Sequence, residues 1–281
     1  GYSLTVDDNY KAKKVLVIYN FFSSELNENF LNIKNRIILG KNSELHIIEL
    51  VINDSLKPFF CNIYEDLKVG NSSTLKSIYL QNNKNFGYFH KFSENNINEK
   101  SKIFLILFPS GPKFCKFDLK FNLLGKNSQC NFQAATFLCE KDHHEIKTRV
   151  NHLFPHCKSY QRVKKVVNSN GKGTYQGKIF VKDIAQKTDA YQLSKAILID
   201  KDSEFNSKPE LEIYADDVKC SHGSTSGNID EDSIYYLMSR GISRDESIEL
   251  LVDGFLNEIS ETIKSETIKS FVNKKLKAQI K

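Results

Sequence analysis

Over most of this chain apolar and polar side chains alternate in short runs separated by polar corners, and near residue 230 the period lengthens to that of a helix. Cys115, Phe117, Leu119, Phe121 and Leu123 alternate with Lys116, Asp118, Lys120 and Asn122, the period-two pattern of a strand with one buried face. Leu211, Ile213 and Ala215 alternate with Glu212 and Tyr214, and after Asp216-Asp217 the series Val218, Cys220, His222 resumes the same spacing. A thiol and an imidazole are thereby placed on one strand face, about 7 Å apart. The chain then turns through Gly223 and Gly227.

Two corners repeat a phrase. Gly40-Lys41-Asn42-Ser43 and Gly125-Lys126-Asn127-Ser128 each follow one apolar strand and precede another. The glycine is expected to supply the unusual backbone angles, with Asn and Ser satisfying backbone groups. Neither copy has the upstream glycine of a phosphate-binding loop, so that reading fails. Asn168 to Gly173 predicts a turn between Val163–Val167 and a strand around Ile179 and Val181. The polar tract Asn82 to Lys102 predicts an inserted, mobile loop. Recurrent strand–corner–strand phrases without helices point to a solenoid, although no constant repeat length can be extracted.

From Asp230 the apolar positions follow helical spacing. Asp230 is placed to cap a helix carrying Ile234, Leu237 and Met238, with Gly241 ending it. Ser243 and Glu246 form a capping box, and behind it Ile248, Leu251, Val252, Phe255, Leu256 and Ile259 make one stripe. Such a stripe packs on the solenoid end, docks a partner, or both. The tail repeats itself as Ser260–Lys264 and Ser265–Lys269, but a five-residue step rotates about 140° on a helix, so Ile263 and Ile268 would not share a face. A frayed helix is expected there.

At 281 residues, 40% of them hydrophobic and 20 of them Phe, the chain can bury a sizeable core. The net charge of +6 comes from lysines dispersed among many asparagines, which reads as solvated faces rather than a nucleic-acid surface. Gly87–Phe92 is the one aromatic-plus-basic phrase, and it lies in the polar tract. No apolar run of 18 residues exists, so no transmembrane helix is expected, and the start at Gly1-Tyr2 suggests a processed or truncated terminus. Cys61, Cys115, Cys130, Cys139, Cys157 and Cys220 are widely spaced with no C-x-x-C pair, which suggests free thiols in a reducing compartment.

From Thr148 to Phe255 many phrases fall in a telling order: TRVNH, SYQRVKKVV, YQGKIFV, AQKTDAYQLSKAILI, KPELEIYADDVKCSHGSTSG, LMSRGIS and LLVDGF. Their sequence resembles the SufBD family, scaffold subunits of the SUF system that assembles iron–sulfur clusters. Cys220-Ser221-His222-Gly223 stands where the SufB branch typically carries a Glu-His-Glu arrangement, which favours the SufD branch. The resemblance implies a right-handed parallel β-helix over residues 1–228 and a short α-helical domain over 229–281, with the family's N-terminal helical region absent. It implies a non-catalytic scaffold that pairs with a SufB-like subunit through Val218, Cys220 and His222. A transient cluster would form at that interface with His222, and less securely Cys220, as ligands; none would be held stably by the chain alone. A SufC-like ATPase would dock on the helices around Leu237, Arg240, Gly241, Ile248, Leu251, Phe255 and Leu256. The isolated chain could pair with itself. A plastid-type organelle, apicoplast or chloroplast, is expected if the source is eukaryotic, and the cytoplasm if bacterial.

Taken without the resemblance, the residues leave alternatives open. Cys220 and His222 suit iron–sulfur or zinc, but two ligands are half a site, and a buried thiol beside a hydrogen-bonded turn histidine is the simpler account. His143, His144, His152 and His156 lack H-E-x-x-H spacing, and Pro155 breaks any helix joining the last two, so structural roles are expected. Cys157 and His156 would point to opposite strand faces, which weakens a Cys–His protease. A β-helix enzyme acting on polysaccharide would need a ladder of carboxylates, and only Asp216-Asp217 stands out. A plain interaction module is the third class. On the resemblance, a chain with no nucleotide or pyridoxal-phosphate motif would take its energy and persulfide from partners.

Overall fold

The computed structural model describes residues 1–26, 29–55, 57–81 and 87–280, with side chains to Lys277. Among the described residues sixteen strands run in two parallel sheets that share one core. One sheet holds β1 (Ser3–Val6), β3 (Phe30–Leu39), β5 (Phe60–Val69), β7 (Tyr88–Ile97), β9 (Phe114–Leu123), β11 (His143–His152), β13 (Lys172–Val181) and β15 (Glu204–Ile213), in that order. The other holds β2 (Leu16–Phe22), β4 (Glu44–Asn53), β6 (Thr74–Gln81), β8 (Lys102–Phe108), β10 (Gln129–Leu138), β12 (Lys158–Val167), β14 (Asp189–Leu198) and β16 (Lys219–Asn228). Consecutive strands lie in opposite sheets, so the chain winds as a parallel β-solenoid, each rung stacking in register on the one before. The alternation seen from Cys115 to Leu123 is β9, with its odd-numbered residues buried.

The period escaped sequence reading because the rungs differ in length. Asn96 bonds to Asn122 across 26 residues, whereas Tyr2 bonds to Asn35 across 33. The slack is spread over both kinds of corner: four residues separate Leu39 from Glu44 but seven separate Val181 from Asp189, and four separate Leu138 from His143 but five separate Phe108 from Phe114. The tract Asn82 to Lys102 is not an inserted loop as expected: Tyr88–Ile97 is β7 and Lys102 opens β8, while 82–86 fall outside the described residues. Its inward row, Phe89, Lys91, Ser93, Asn95 and Ile97, is itself largely polar, so no apolar alternation marks the strand.

One corner is built alike rung after rung. Ser43 and Ser128 each donate to the carbonyl three residues back, Gly40 and Gly125, at 2.7 and 2.8 Å. Ser73 also reaches Gly40, and Cys157 Sγ lies 3.2 Å from the Gly125 oxygen, so hydroxyls and a thiol stack along the corner. The left-handed backbone falls on Asn42 and Asn127, at φ 51° and 60°, not on the glycines, which corrects the sequence reading. Gly40 and Gly125 are needed for close approach: a Cβ would come within 2.4 Å of Asp8 Oδ1 and Glu99 N.

The interior is apolar, with Phe89, Phe117, Phe121 and Phe132 fully enclosed. Lys91 is one of the charged exceptions. Its ammonium sits 2.9 Å from both Glu49 and Glu65, and these carboxylates hold its pKa above the lysine range against the cost of burial.

Helices follow the strands: α1 (Glu231–Ser239), α2 (Arg244–Ser260) and α3 (Glu266–Ile280). Asp230 caps α1 by accepting from Asp232 N, Gly241 turns the chain at φ 88°, and the Ser243–Glu246 capping box opens α2. Val252, Leu256 and Ile259 are buried against the outer face of the second sheet, where α2 crosses β10 and β12. The helices therefore cover a flank of the solenoid and leave its end open. The tail is not frayed as expected, since Val272 and Leu276 of α3 are buried in the same layer. Among the described residues no helix is long and apolar enough to cross a membrane.

Candidate functional site

The last rung, β15 and β16, ends the solenoid without a cover. In β14 the inward residues Ala190, Gln192 and Ser194 are buried, and β16 sets Cys220, His222 and Ser224 directly over them in register. Ser194 Oγ bonds to Ser224 Oγ at 2.9 Å, so this row continues the interior stack. With no rung above, the same positions open to solvent. Cys220 is half-buried and His222 exposed, while inward Leu211 and Ile213 of β15 are 36% and 38% exposed. A solenoid interior that ends on bare apolar side chains, with one unpaired edge on each sheet, is chemically unfinished.

Cys220 packs beside Val218 on Ile179, Val181, Ala185, Ala190 and Ala215. Burial, with a smaller push from the Asp189 carboxylate, raises its thiol above the ordinary cysteine range. Lys187 N donates to Asp217 O, Asp217 N to Gln186 Oε1 at 2.9 Å, and the Lys187 and Asp217 side chains pair, which fixes the corner that delivers β16. The structure thus brings Val218, Cys220 and His222 together as the pattern implied, with Val218 in the corner just before the strand. Two donors of this kind can take part in holding iron or a cluster, but the remaining ligands have to come from another molecule.

The other candidates do not converge. His143, His144 and His152 lie on β11, a strand, and His156 in the following corner at φ 61°. His144 bonds to Pro112 O and His152 to Ser159 Oγ, both at 2.9 Å, and burial pushes each imidazole down to about 3. Buried Cys157 serves the corner stack. Asp216 is exposed and Asp217 is engaged by Lys187.

On the helices, Leu237 is half-buried while Arg240 and Gly241 are exposed, and the Arg240 guanidinium lies 5.1 Å over the Tyr236 ring. Ile248, Leu251 and Phe255 pack partly against the solenoid flank. Leu256 is only 2% exposed, so its assignment to partner binding is corrected: it holds α2 on the sheet. Sequence reasoning missed Tyr235, 75% exposed, and the exposed Tyr236, Met238 and Leu250 as a surface. Tyr235, Tyr236 and Leu250 lie off the apolar stripe, and that offset was the available signal.

A family model described as "SUF system FeS cluster assembly, SufBD core domain" matches residues 21–255. The chain is similar to the iron–sulfur cluster assembly protein SufD of Escherichia coli, 29% identical over 246 residues, covering 87% of this chain and 58% of that protein. A SufBD-family iron–sulfur cluster assembly protein of Synechocystis is 28% identical over 207 residues, 74% of this chain and 46% of its own. Protein ABCI7, chloroplastic, of Arabidopsis thaliana is 25% identical over 235 residues, 83% and 50% respectively. The chain spans about half the length of these relatives.

Proposed function

Since the chain belongs to the SufBD family of iron–sulfur cluster assembly proteins, we propose that it is a non-catalytic scaffold whose open last rung receives a SufB-like subunit. The observation that carries this reading is the exposed, unpaired end of β15 and β16 with Cys220 and His222 on its inward row. Edge pairing would supply affinity, burial of Leu211 and Ile213 would add to it, and the two donors would face the partner's ligands. The nascent cluster is cargo there, taken by His222 through an imidazole nitrogen and by Cys220 as ligand or close neighbour.

The exposed face of α1 and α2, with Tyr235, Tyr236, Met238, Arg240 and Leu250, would carry a SufC-like ATPase. Relatives that are bacterial and chloroplastic support a bacterial cytoplasm or a plastid-type organelle as the compartment. Coexpression with SufB-like and SufC-like partners, followed by anaerobic iron and sulfide measurement on the purified complex, tests the reading. Cofractionation with iron and sulfide on the complex supports it. Failure of the chain to join either partner removes it.

A further inference from the structure

The helical layer does not close completely on the flank it covers. Between the outer face of the second sheet and the connection from α2 to α3 lies a trough of about 660 Å³, within the size of small-molecule sites, roughly 300–1,000 Å³. Its floor crosses five strands from β4 to β12, about 19 Å at the usual strand spacing. One row of that floor is graded in polarity. Ile48, Ile78 and Ile106 stand in register, and the row continues through Gln133 to Arg162.

The repeated tail phrase forms the opposing wall. The break between α2 and α3, residues 261–265, takes most of the first copy out of the helix, so Ile263 and Ile268, which a continuous helix would turn apart, both line the trough, with Lys264 between them. Among the described lining residues none is acidic, whereas His46, Lys76, Arg162 and Lys264 are basic. Lys76 is taken by Glu44 at 2.9 Å. Arg162 gives Nε and Nη2 to Gln133 Oε1 and Nη2 to Glu258 O, but its Nη1 comes no nearer than 4.0 Å to Glu258 Oε2. Lys264 is exposed and has no ion pair among the described residues.

We propose that this trough binds a single-chain amphiphile with an anionic head, a free long-chain carboxylate. The chain lies along the isoleucine row and against Ile263 and Ile268. The carboxylate meets Arg162 Nη1 at the polar end of the row and Lys264 on the facing wall, a cation that a neutral head would leave unanswered.

The test is titration of this chain with cis-parinaric acid, a carboxylate that fluoresces in apolar surroundings. Saturable one-site binding is expected, displaced by palmitate at least tenfold more effectively than by hexadecanol. Ile106→Trp fills the trough and should abolish binding. Lys264→Glu, at an exposed position between α2 and α3, should weaken it about tenfold, which keeps the test decisive if the tryptophan variant misfolds. Non-saturable binding, equal displacement by acid and alcohol, or affinity unmoved by both substitutions overturns the proposal. Capture of the chain by phosphatidylglycerol vesicles that persists in Ile106→Trp also overturns it, in favour of a membrane surface.

Discussion

Lys164 Nζ donates to the carbonyl oxygen of Phe255 at 3.0 Å and lies 4.2 Å from the centre of the same residue's ring. One ammonium on the outer face of β12 thus holds both backbone and side chain of α2. Glu258, one turn later, pairs with the same lysine, and Arg162 of the same strand donates to the Glu258 carbonyl at 2.8 Å. Cations near the end of α2 also oppose the negative pole of its dipole. The helical layer is therefore latched to the flank by polar contacts at one end of an apolar seam.

Lys164→Ala should loosen that latch selectively. A charge-assisted hydrogen bond and a cation–π contact together contribute on the order of 2–4 kcal/mol, and the seam of Val252, Leu256 and Ile259 remains. Hydrogen exchange is the measurement: amides of α2 and α3 should lose protection while those of β10 and β12 keep it. Equal protection in both proteins would mean that the apolar seam alone carries the docking.

The β-class, the strand at Cys115–Leu123, both helix caps and the facing of Cys220 and His222 were all legible, because each depends on local chemistry or period. The rung length was not, since corners of different size absorb it, and β7 was hidden because Lys91, Ser93 and Asn95 occupy its inward row. Where α2 packs was equally out of reach. The stripe from Ile248 to Ile259 announces a buried face but carries no address, and the flank it meets is an apolar outer row of strands 91 to 129 residues away along the chain. The openness of the last rung is a fact of tertiary structure alone.

Lys165, next in sequence to Lys164, points into the solenoid, where its ammonium donates to His144 O at 2.8 Å. Burial pushes its ammonium down to about 7 from the ordinary 10.5. The unfolded chain keeps that proton to about pH 10, so between pH 7 and 10 the unfolded state binds more protons and this group makes stability rise with pH. The slope approaches about 1.4 kcal/mol per pH unit once the folded lysine is neutral. Urea unfolding at pH 7 to 9 should show a steeper rise for the native protein than for Lys165→Met. Parallel curves would show that Lys165 stays charged in the fold.

The exposed face of the helices and their buried seam should separate by mutation. Tyr235→Asp with Leu250→Asp touches only solvent-facing side chains, so copurification with a SufC-like ATPase should fall while the melting temperature stays within a few degrees. Leu256→Ala empties a core position and should cost about 2–5 kcal/mol of stability whatever the partner does. Undiminished ATPase recovery with the double variant would move the docking face elsewhere.

The last prediction concerns His222. It sits over Gln192 on the open rung, exposed, so removing its ring uncovers no packed core and takes away no hydrogen bond that shapes the corner, which Lys187, Gln186 and Asp217 hold on their own. His222→Ala should therefore leave the fold and assembly with a SufB-like partner intact and abolish cluster formation on the complex. Cys220 differs, because its thiol packs on Val181 and Ala190. Cys220→Ser puts a hydroxyl into that apolar contact at a modest cost in stability, and cluster yield should fall mildly if the thiol is a neighbour and as severely as for His222→Ala if it is a ligand. The isolated chain should be colourless, since a cluster needs about four protein ligands and this face offers two. Anaerobic absorption spectra with iron and sulfide counts on matched complexes decide the matter, and a normal yield from the His222→Ala complex would return this histidine to the surface of an interface that forms no cluster through it.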